Sequence, residues 1–128
     1  MRVLGLDWGE RRAGLALGDT ETRIASPWKT LIIRGNLAQE IADLAKEEGA
    51  AVIVIGYPKT LKGEAAHMAH QIDEFAADLR DLTEARIVFE DERMSSLLAD
   101  RQRAEGSRSG RDALAAAAVL DVWLQRQR

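Results

Sequence analysis

Met1-Arg2-Val3-Leu4-Gly5-Leu6-Asp7-Trp8-Gly9-Glu10-Arg11-Arg12-Ala13-Gly14-Leu15-Ala16-Leu17 opens the chain with two short apolar runs, Val3 to Leu6 and Ala13 to Leu17. The polar connection between them contains a glycine, and the whole reads as a β-hairpin. Asp7 ends the first run. An Asx residue there can simply hydrogen-bond its own turn. Two further acidic stations lie at the ends of regular elements: Glu90-Asp91-Glu92 follows Arg86-Ile87-Val88-Phe89, and Asp112 opens the last expected helix. Carboxylates delivered from separate segments can converge on Mg²⁺-like cations. A pair of such ions about 3.5–4 Å apart needs ligands from several segments, because no single turn surrounds both. Each acid also has a structural account. Ser109 to Asp112 fits the Ser-x-x-Asp capping signature, and Asp91 can be a solvated strand end with Arg93 as surface partner. The combination, more than any one acid, points to metal-dependent phosphodiester chemistry.

Downstream of the hairpin, a third strand falls within Arg23 to Ile33, interrupted by Pro27. Asn36 with Gln39 reads as a capping pair, and Leu37, Ile41, Leu44 and Ala45 share one helical face up to Gly49. Ala51 to Ile55 is a continuous apolar run, as expected of a strand covered on both faces, and Gly56-Tyr57-Pro58 ends it. A second helix spans about Glu64 to Asp81, with Ala65, Met68, Ile72, Phe75, Leu79 and Leu82 recurring every three or four residues. Arg86 to Glu90 supplies a fifth strand. Ser95 or Ser96 caps a short helix to about Ala104, and Gly106-Ser107-Arg108-Ser109-Gly110 reads as a flexible break. Asp112 then starts a terminal helix whose Leu114, Ala117, Val119, Leu120, Val122 and Trp123 can pack on a sheet. This order implies an α/β fold, a mixed five-stranded sheet with helices on its faces.

With 128 residues, 46% of them hydrophobic, the chain fits one domain with one core. No apolar run approaches 18 residues and no basic region leads into an apolar stretch at the N-terminus. Neither a membrane span nor a secretory signal is expected, and the expected location is cytoplasmic. The absence of cysteine removes disulfides, thiolate catalysis and cysteine-ligated zinc, and His67 and His70 are too few for a histidine cluster. Any metal site must therefore use oxygen ligands.

A net charge of −3 argues against a strongly electrostatic nucleic-acid binder. The distribution says more. Arg101, Arg103, Arg108 and Arg111 stand against Glu105 alone, next to Asp112, and Arg11 with Arg12 forms a second cluster after Asp7. Arginine supplies 14 of the 18 basic residues, and its planar fork suits phosphate.

Val3-Leu4-Gly5-Leu6-Asp7-Trp8-Gly9-Glu10-Arg11-Arg12-Ala13-Gly14 resembles the opening motif of the YqgF (RuvX) family. Val54-Ile55-Gly56-Tyr57-Pro58 followed by Gly63 is similar to that family's Val-Val-Gly-Leu-Pro segment. Asp91-Glu92-Arg93-Met94-Ser95-Ser96 resembles its Asp-Glu-Arg-Leu-Thr/Ser-Thr box, and Asp112-Ala113-Leu114-Ala115-Ala116 its terminal Asp-x-x-Ala-Ala helix. The four motifs occur in order along the whole chain. The resemblance implies an RNase H-like fold and a nuclease dependent on Mg²⁺ or Mn²⁺. It implies two roles: processing the 5′ end of pre-16S ribosomal RNA, and resolving Holliday junctions. It makes Asp7, Asp91 and Asp112 the metal ligands, with Glu92 as substitute or supplement, and Arg11, Arg12 and Arg93 phosphate contacts. Period-two geometry puts Asp91 on the Ile87 and Phe89 side of its strand and Glu92 on the Val88 side, so one of the two is first to the metal. The chain departs from the family at Tyr57, where leucine is usual, at Lys59-Thr60-Leu61-Lys62, and in a shorter segment from Arg93 to Asp112, which bears on substrate choice.

The expected mechanism is in-line hydrolysis assisted by two metal ions, without a covalent enzyme intermediate. Ser95 and Ser96 lack an evident histidine base, and a helix cap accounts for them. Two rivals stand beside this reading. Gly5-Leu6-Asp7-Trp8-Gly9 also looks like the phosphate-binding hairpin of the actin and hexokinase superfamily, but those proteins close two domains around ATP. The other is a non-catalytic nucleic-acid-binding or assembly protein on the same fold. Dimerisation is left open, with Trp8, Trp28 and Trp123 better explained as core or turn packing than as an interface.

Overall fold

β1 (Arg2–Trp8) and β2 (Arg12–Asp19) form the expected hairpin, yet each runs beyond its apolar centre, so Asp7 and Trp8 lie within the strand and not in the turn. The structure, a computed structural model, describes residues 1–91 and 108–127. The hairpin closes through Gly9, whose N–H donates to the Arg12 carbonyl at 2.8 Å. A Cβ at Gly9 would sit 2.6 Å from that same oxygen, which is why a glycine stands there.

β3 (Ala25–Ile32) pairs antiparallel with β2 at one edge of the sheet. Its Pro27 has no N–H to give a ladder and is tolerated at an edge, where the register with β2 also shifts between Leu15 and Ala16. β4 (Ala50–Tyr57) and β5 (Arg86–Asp91) add in parallel on the other side of β1, giving the order β3-β2-β1-β4-β5. The expected mixed five-stranded sheet is thus present. Val52 to Ile55 are all buried, as a strand covered on both faces requires.

Alternation along the strands sorts side chains into two cores. Leu4, Leu6, Trp8, Leu15, Ile53 and Ile55 pack under α1 (Leu37–Glu48) and α2 (Glu64–Arg80), which contribute Leu37, Ile41, Ile72, Phe75 and Leu79. Val3, Ala16, Val52 and Val54 pack on the opposite face under α3 (Arg108–Gln125), against Ala116, Val119, Leu120, Trp123 and Leu124. Each large aliphatic chain buried in this way stabilises the fold by about 1.5–3 kcal/mol. Trp8, packed at a tilt against Phe75 with centroids 5.0 Å apart, and Trp123 are core residues, in keeping with their expected packing role.

Three local expectations are corrected. Asn36 occupies the N-cap of α1 but makes no side-chain capping bond, because its ψ of 14° lies outside the extended region from which a cap side chain reaches the first N–H groups. Gln39 instead donates to Asp43 at 2.9 Å. Leu82 lies beyond α2 and is 45% exposed, so it leaves the apolar stripe. Finally, α3 begins at Arg108, so the Gly- and Ser-containing run is helical from that residue on and Asp112 lies in the second turn. Ser109 and Gly110 cost a helix about 1 kcal/mol or less each, a weak preference that packing of the following apolar face overrides. The expected helix from Ser95 or Ser96 to Ala104, and Gly106 and Ser107, lie outside the described residues.

Candidate active site

Asp7 is the sixth residue of β1 and only 8% exposed. It shares the face of Val3 and Gly5, the face covered by α3, and it is bordered by glycine on both neighbouring strands. Gly14 is its direct partner across the β1–β2 ladder. Gly56 of β4 stands on the other side: the Asp7 Oδ1 lies 3.5 Å from the point where a Cβ of Gly56 would be. The carboxylate therefore spreads over a strip of sheet that carries no side chains.

The Gly14 side of this strip is filled by main chain. A Cβ at Gly14 would fall 1.9 Å from the carbonyl oxygen of Asp112 and 2.8 Å from the amide nitrogen of Ala113. Direct partners in an antiparallel ladder have Cα atoms about 4.5–5.5 Å apart. Asp7 and the backbone of Asp112 thus adjoin the same glycine, so the first and last acidic stations meet at one end of the sheet. Further along, Gly5 meets Ala116 and Leu120, and Gly18 meets Leu120 and Leu124, so a line of glycines lets α3 settle close to the sheet.

The middle station divides between the two faces. Gly56 pairs with Glu90 and Tyr57 with Asp91. Val88 and Glu90 point to the α3 face, and Glu90, 5% exposed, is held by the Arg126 guanidinium from the end of that helix. Ile87, Phe89 and Asp91 alternate to the face of α2, and Asp91 is exposed. Glu92, Arg93, Arg101 and Arg103 lie outside the described residues. Arg108 and Arg111 fall in the first turns of α3. Arg11 is exposed at the hairpin tip and Arg12 half-buried at the start of β2. His67 and His70 are exposed on α2, His70 pairing with Glu74 at 3.0 Å, as expected of surface positions.

Among the described residues no three acids or histidines form a metal-holding group. The available donor chemistry nevertheless suits a hard cation such as Mg²⁺, which takes carboxylate and carbonyl oxygens. Asp7 offers a buried carboxylate over the glycine strip, and the main chain of the half-buried Asp112 lies over the Gly14 end of that strip. Sequence reasoning named these acids but passed over the residues that bring them together, Gly14 and Gly56. The signal was available: a glycine inside an apolar strand marks close approach by another backbone or group. It also passed over the ion pair between the buried Glu90 and the exposed Arg126. Alternation from Val88 would have placed Glu90 on a covered face.

An antiparallel β1–β2–β3 meander extended by two parallel strands, with an aspartate on β1 facing a last helix that carries another, defines an RNase H-like nuclease fold. RuvC of T. thermophilus in complex with Holliday junction substrate has this fold, with a TM-score of 0.70 at 12% identity over 98% of this chain and 94% of that one. The fowlpox virus Holliday junction resolvase matches with a TM-score of 0.63 at 9% identity, over 99% of this chain and 100% of the other. The RuvX family model, described as Holliday junction resolvase, matches residues 1–126, and the chain belongs to that family. Relatives named as pre-16S rRNA nuclease include one from Roseiflexus sp., 33% identical over 99% of this chain and 96% of its own length. Another, from Bacillus cereus, is 34% identical over 99% of this chain and 100% of its own length. The protein is therefore a nuclease, a hydrolase acting on nucleic acid. Among the described residues no helix is long and apolar enough to cross a membrane.

Proposed function

We propose that this nuclease trims the 5′ end of pre-16S ribosomal RNA by divalent-metal-dependent hydrolysis. The observation that carries the catalytic part is that Asp7, beside Gly14 in the ladder, and the main chain of Asp112, over its face, adjoin the same glycine. The relatives named for pre-16S rRNA favour the RNA substrate. Mg²⁺ or Mn²⁺, when bound, supplies an activated water and stabilises charge on the leaving oxygen. Asp7, seated in rigid β1, fixes one ligand position, and Asp112, carried by α3 on the glycine strip, fixes a second. The third comes from the acidic run at the end of β5. Simple alternation beyond Glu90 would return Glu92 to the face of Asp7, whereas Asp91 needs the strand to twist at its last residue to serve there. Arg11, Arg12, Arg93, Arg101, Arg103, Arg108 and Arg111 are the proposed phosphate contacts, and the cytoplasm the proposed compartment.

A second reading, resolution of Holliday junctions, is favoured by the family description and by the fold shared with RuvC. Cleavage assays with a pre-16S RNA fragment and with a four-way DNA junction, each with Mg²⁺ and with chelator, decide between them. RNA cut near its mature 5′ end with the junction left intact supports the first reading. The reverse supports the second. Binding without cleavage of either would leave a non-catalytic assembly role.

A further inference from the structure

Beside the acidic centre, on the other face of the sheet, lies an aromatic pair with an exposed ring. Phe89 of β5 is 40% exposed. Its ring packs against Tyr57 of β4 with centroids 4.9 Å apart and the planes tilted by 46°, and the Tyr57 hydroxyl donates to Asp73 of α2 at 3.2 Å. Arg80, at the end of α2, holds its guanidinium 5.9 Å from the Phe89 ring centre. A single exposed apolar residue is ordinary on a protein surface. This one differs in being braced from behind by a ring that is itself anchored to a helix, and in having a cation over it. Tyr57 directly follows Gly56, the residue over which the Asp7 carboxylate lies, and pairs with Asp91.

Resting on the nuclease reading, the geometry points to Tyr57, Phe89 and Arg80 as a subsite that stacks an unpaired nucleobase of a single-stranded segment of the substrate, on the face of the sheet opposite the acidic centre. Every base presents a π-face, and aromatic platforms combined with arginine are the common means of holding single strands without reading sequence. The nearby Asp73 and Asp91 would repel a phosphate, but a neutral base is compatible with them. The flanking phosphate falls to Arg80 or to the exposed Lys59 and Lys62, which follow β4. Bases inside a duplex have no free face, so the subsite favours unpaired substrate.

The test uses the full chain in chelator, so that nothing is cut, with a single-stranded RNA carrying 2-aminopurine at successive positions. The expected result is quenching of the probe at one or two positions by the parent protein. Phe89→Leu should lose the quenching and bind the single strand roughly 5- to 100-fold more weakly, while its affinity for a duplex stays the same. Phe89→Trp should restore both, and Arg80→Gln should weaken binding while retaining the quenching. If the parent binds and cleaves but Phe89→Leu matches it in quenching and affinity, the subsite is wrong and the nuclease reading survives. If the parent binds no nucleic acid, both fail. A parent that sediments as a dimer and a Phe89→Leu chain that sediments as a monomer, with equal RNA affinity, would make the ring a self-association surface and overturn the proposal.

Discussion

Asp7 and Gly14 face each other across the β1–β2 ladder, and the missing side chain of Gly14 is the space into which the main chain of Asp112 fits. Two acids far apart in sequence are brought together by a residue that contributes nothing but room.

Gly14→Ala should therefore act on stability and on catalysis together. Its Cβ would meet the Asp112 carbonyl oxygen at 1.9 Å, a main-chain atom that cannot rotate aside. Overpacking of this kind costs about 1–3 kcal/mol, and a backbone neighbour puts the expected loss at the upper end, with α3 lifted from the sheet. Urea unfolding should show a lowered midpoint, and cleavage should fall even under conditions where the variant is fully folded. A variant of unchanged stability would show that α3 is not seated as described.

Asp7→Asn separates the two effects. The amide keeps the shape but lacks the charge that holds a cation, so the fold persists and metal-dependent cleavage falls by about 10³-fold or more. Crowded carboxylates repel one another, and removing one leaves the metal-free unfolding midpoint unchanged or slightly higher. Calorimetric titration with Mg²⁺ should show weakened binding. Full cleavage by a correctly folded Asp7→Asn chain would reject the role assigned to this residue.

Tyr57 is the only tyrosine of the chain, so its ionisation can be followed by absorbance alone. Burial raises its pKa above the ordinary phenol value, and the hydrogen bond and negative charge of Asp73 raise it further. Because the folded-state value lies above the unfolded one, the associated stability is fully present below the unfolded pKa, about 10, and is lost as pH rises through the higher folded value. A single phenolate transition above pH 10 is expected, and Asp73→Asn should bring it down. A transition in the parent at the ordinary value would mean that the Tyr57–Asp73 contact does not persist in solution.

The parts of the fold set by hydrophobic periodicity were legible. The stripe from Ile72 through Phe75 to Leu79 predicts α2, and the apolar run at Ala51 to Ile55 predicts a doubly covered strand, which holds from Val52 on while Ala51 is exposed, because burial of apolar area decides both. The start of α3 was misread because Ser109 and Gly110 favour a break locally, while the energy that keeps them helical comes from contacts made several turns later, by Leu120 and Trp123. At the site, the acids could be named from their positions and alternation could sort Asp91 from its neighbours, but neither tells which side of the strand α3 covers: the packing of Val88 under α3 and the register of Glu90 with Gly56 supply that. Gly14 was legible as part of a motif, not as the contact point of a helix nearly a hundred residues away.

The arginines before and within the start of α3 give the last prediction. Arg101, Arg103, Arg108 and Arg111 cluster in sequence beside Asp112, and the proposed function assigns them to the phosphate backbone of the substrate. Each lost contact to a duplex should make the slope of log K against log salt shallower by about 0.9, and each lost contact to a single strand by about 0.7. Backbone contacts position a substrate without reading it, so a quadruple Arg→Gln chain should bind all sequences more weakly and in the same order of preference. Titrations of structured RNA and branched DNA at several salt concentrations measure both quantities. Parent-like affinity and slope in the quadruple variant would move the phosphate contacts to Arg11 and Arg12 around the hairpin tip and to Arg93, and would leave the basic run before Asp112 as solvated surface.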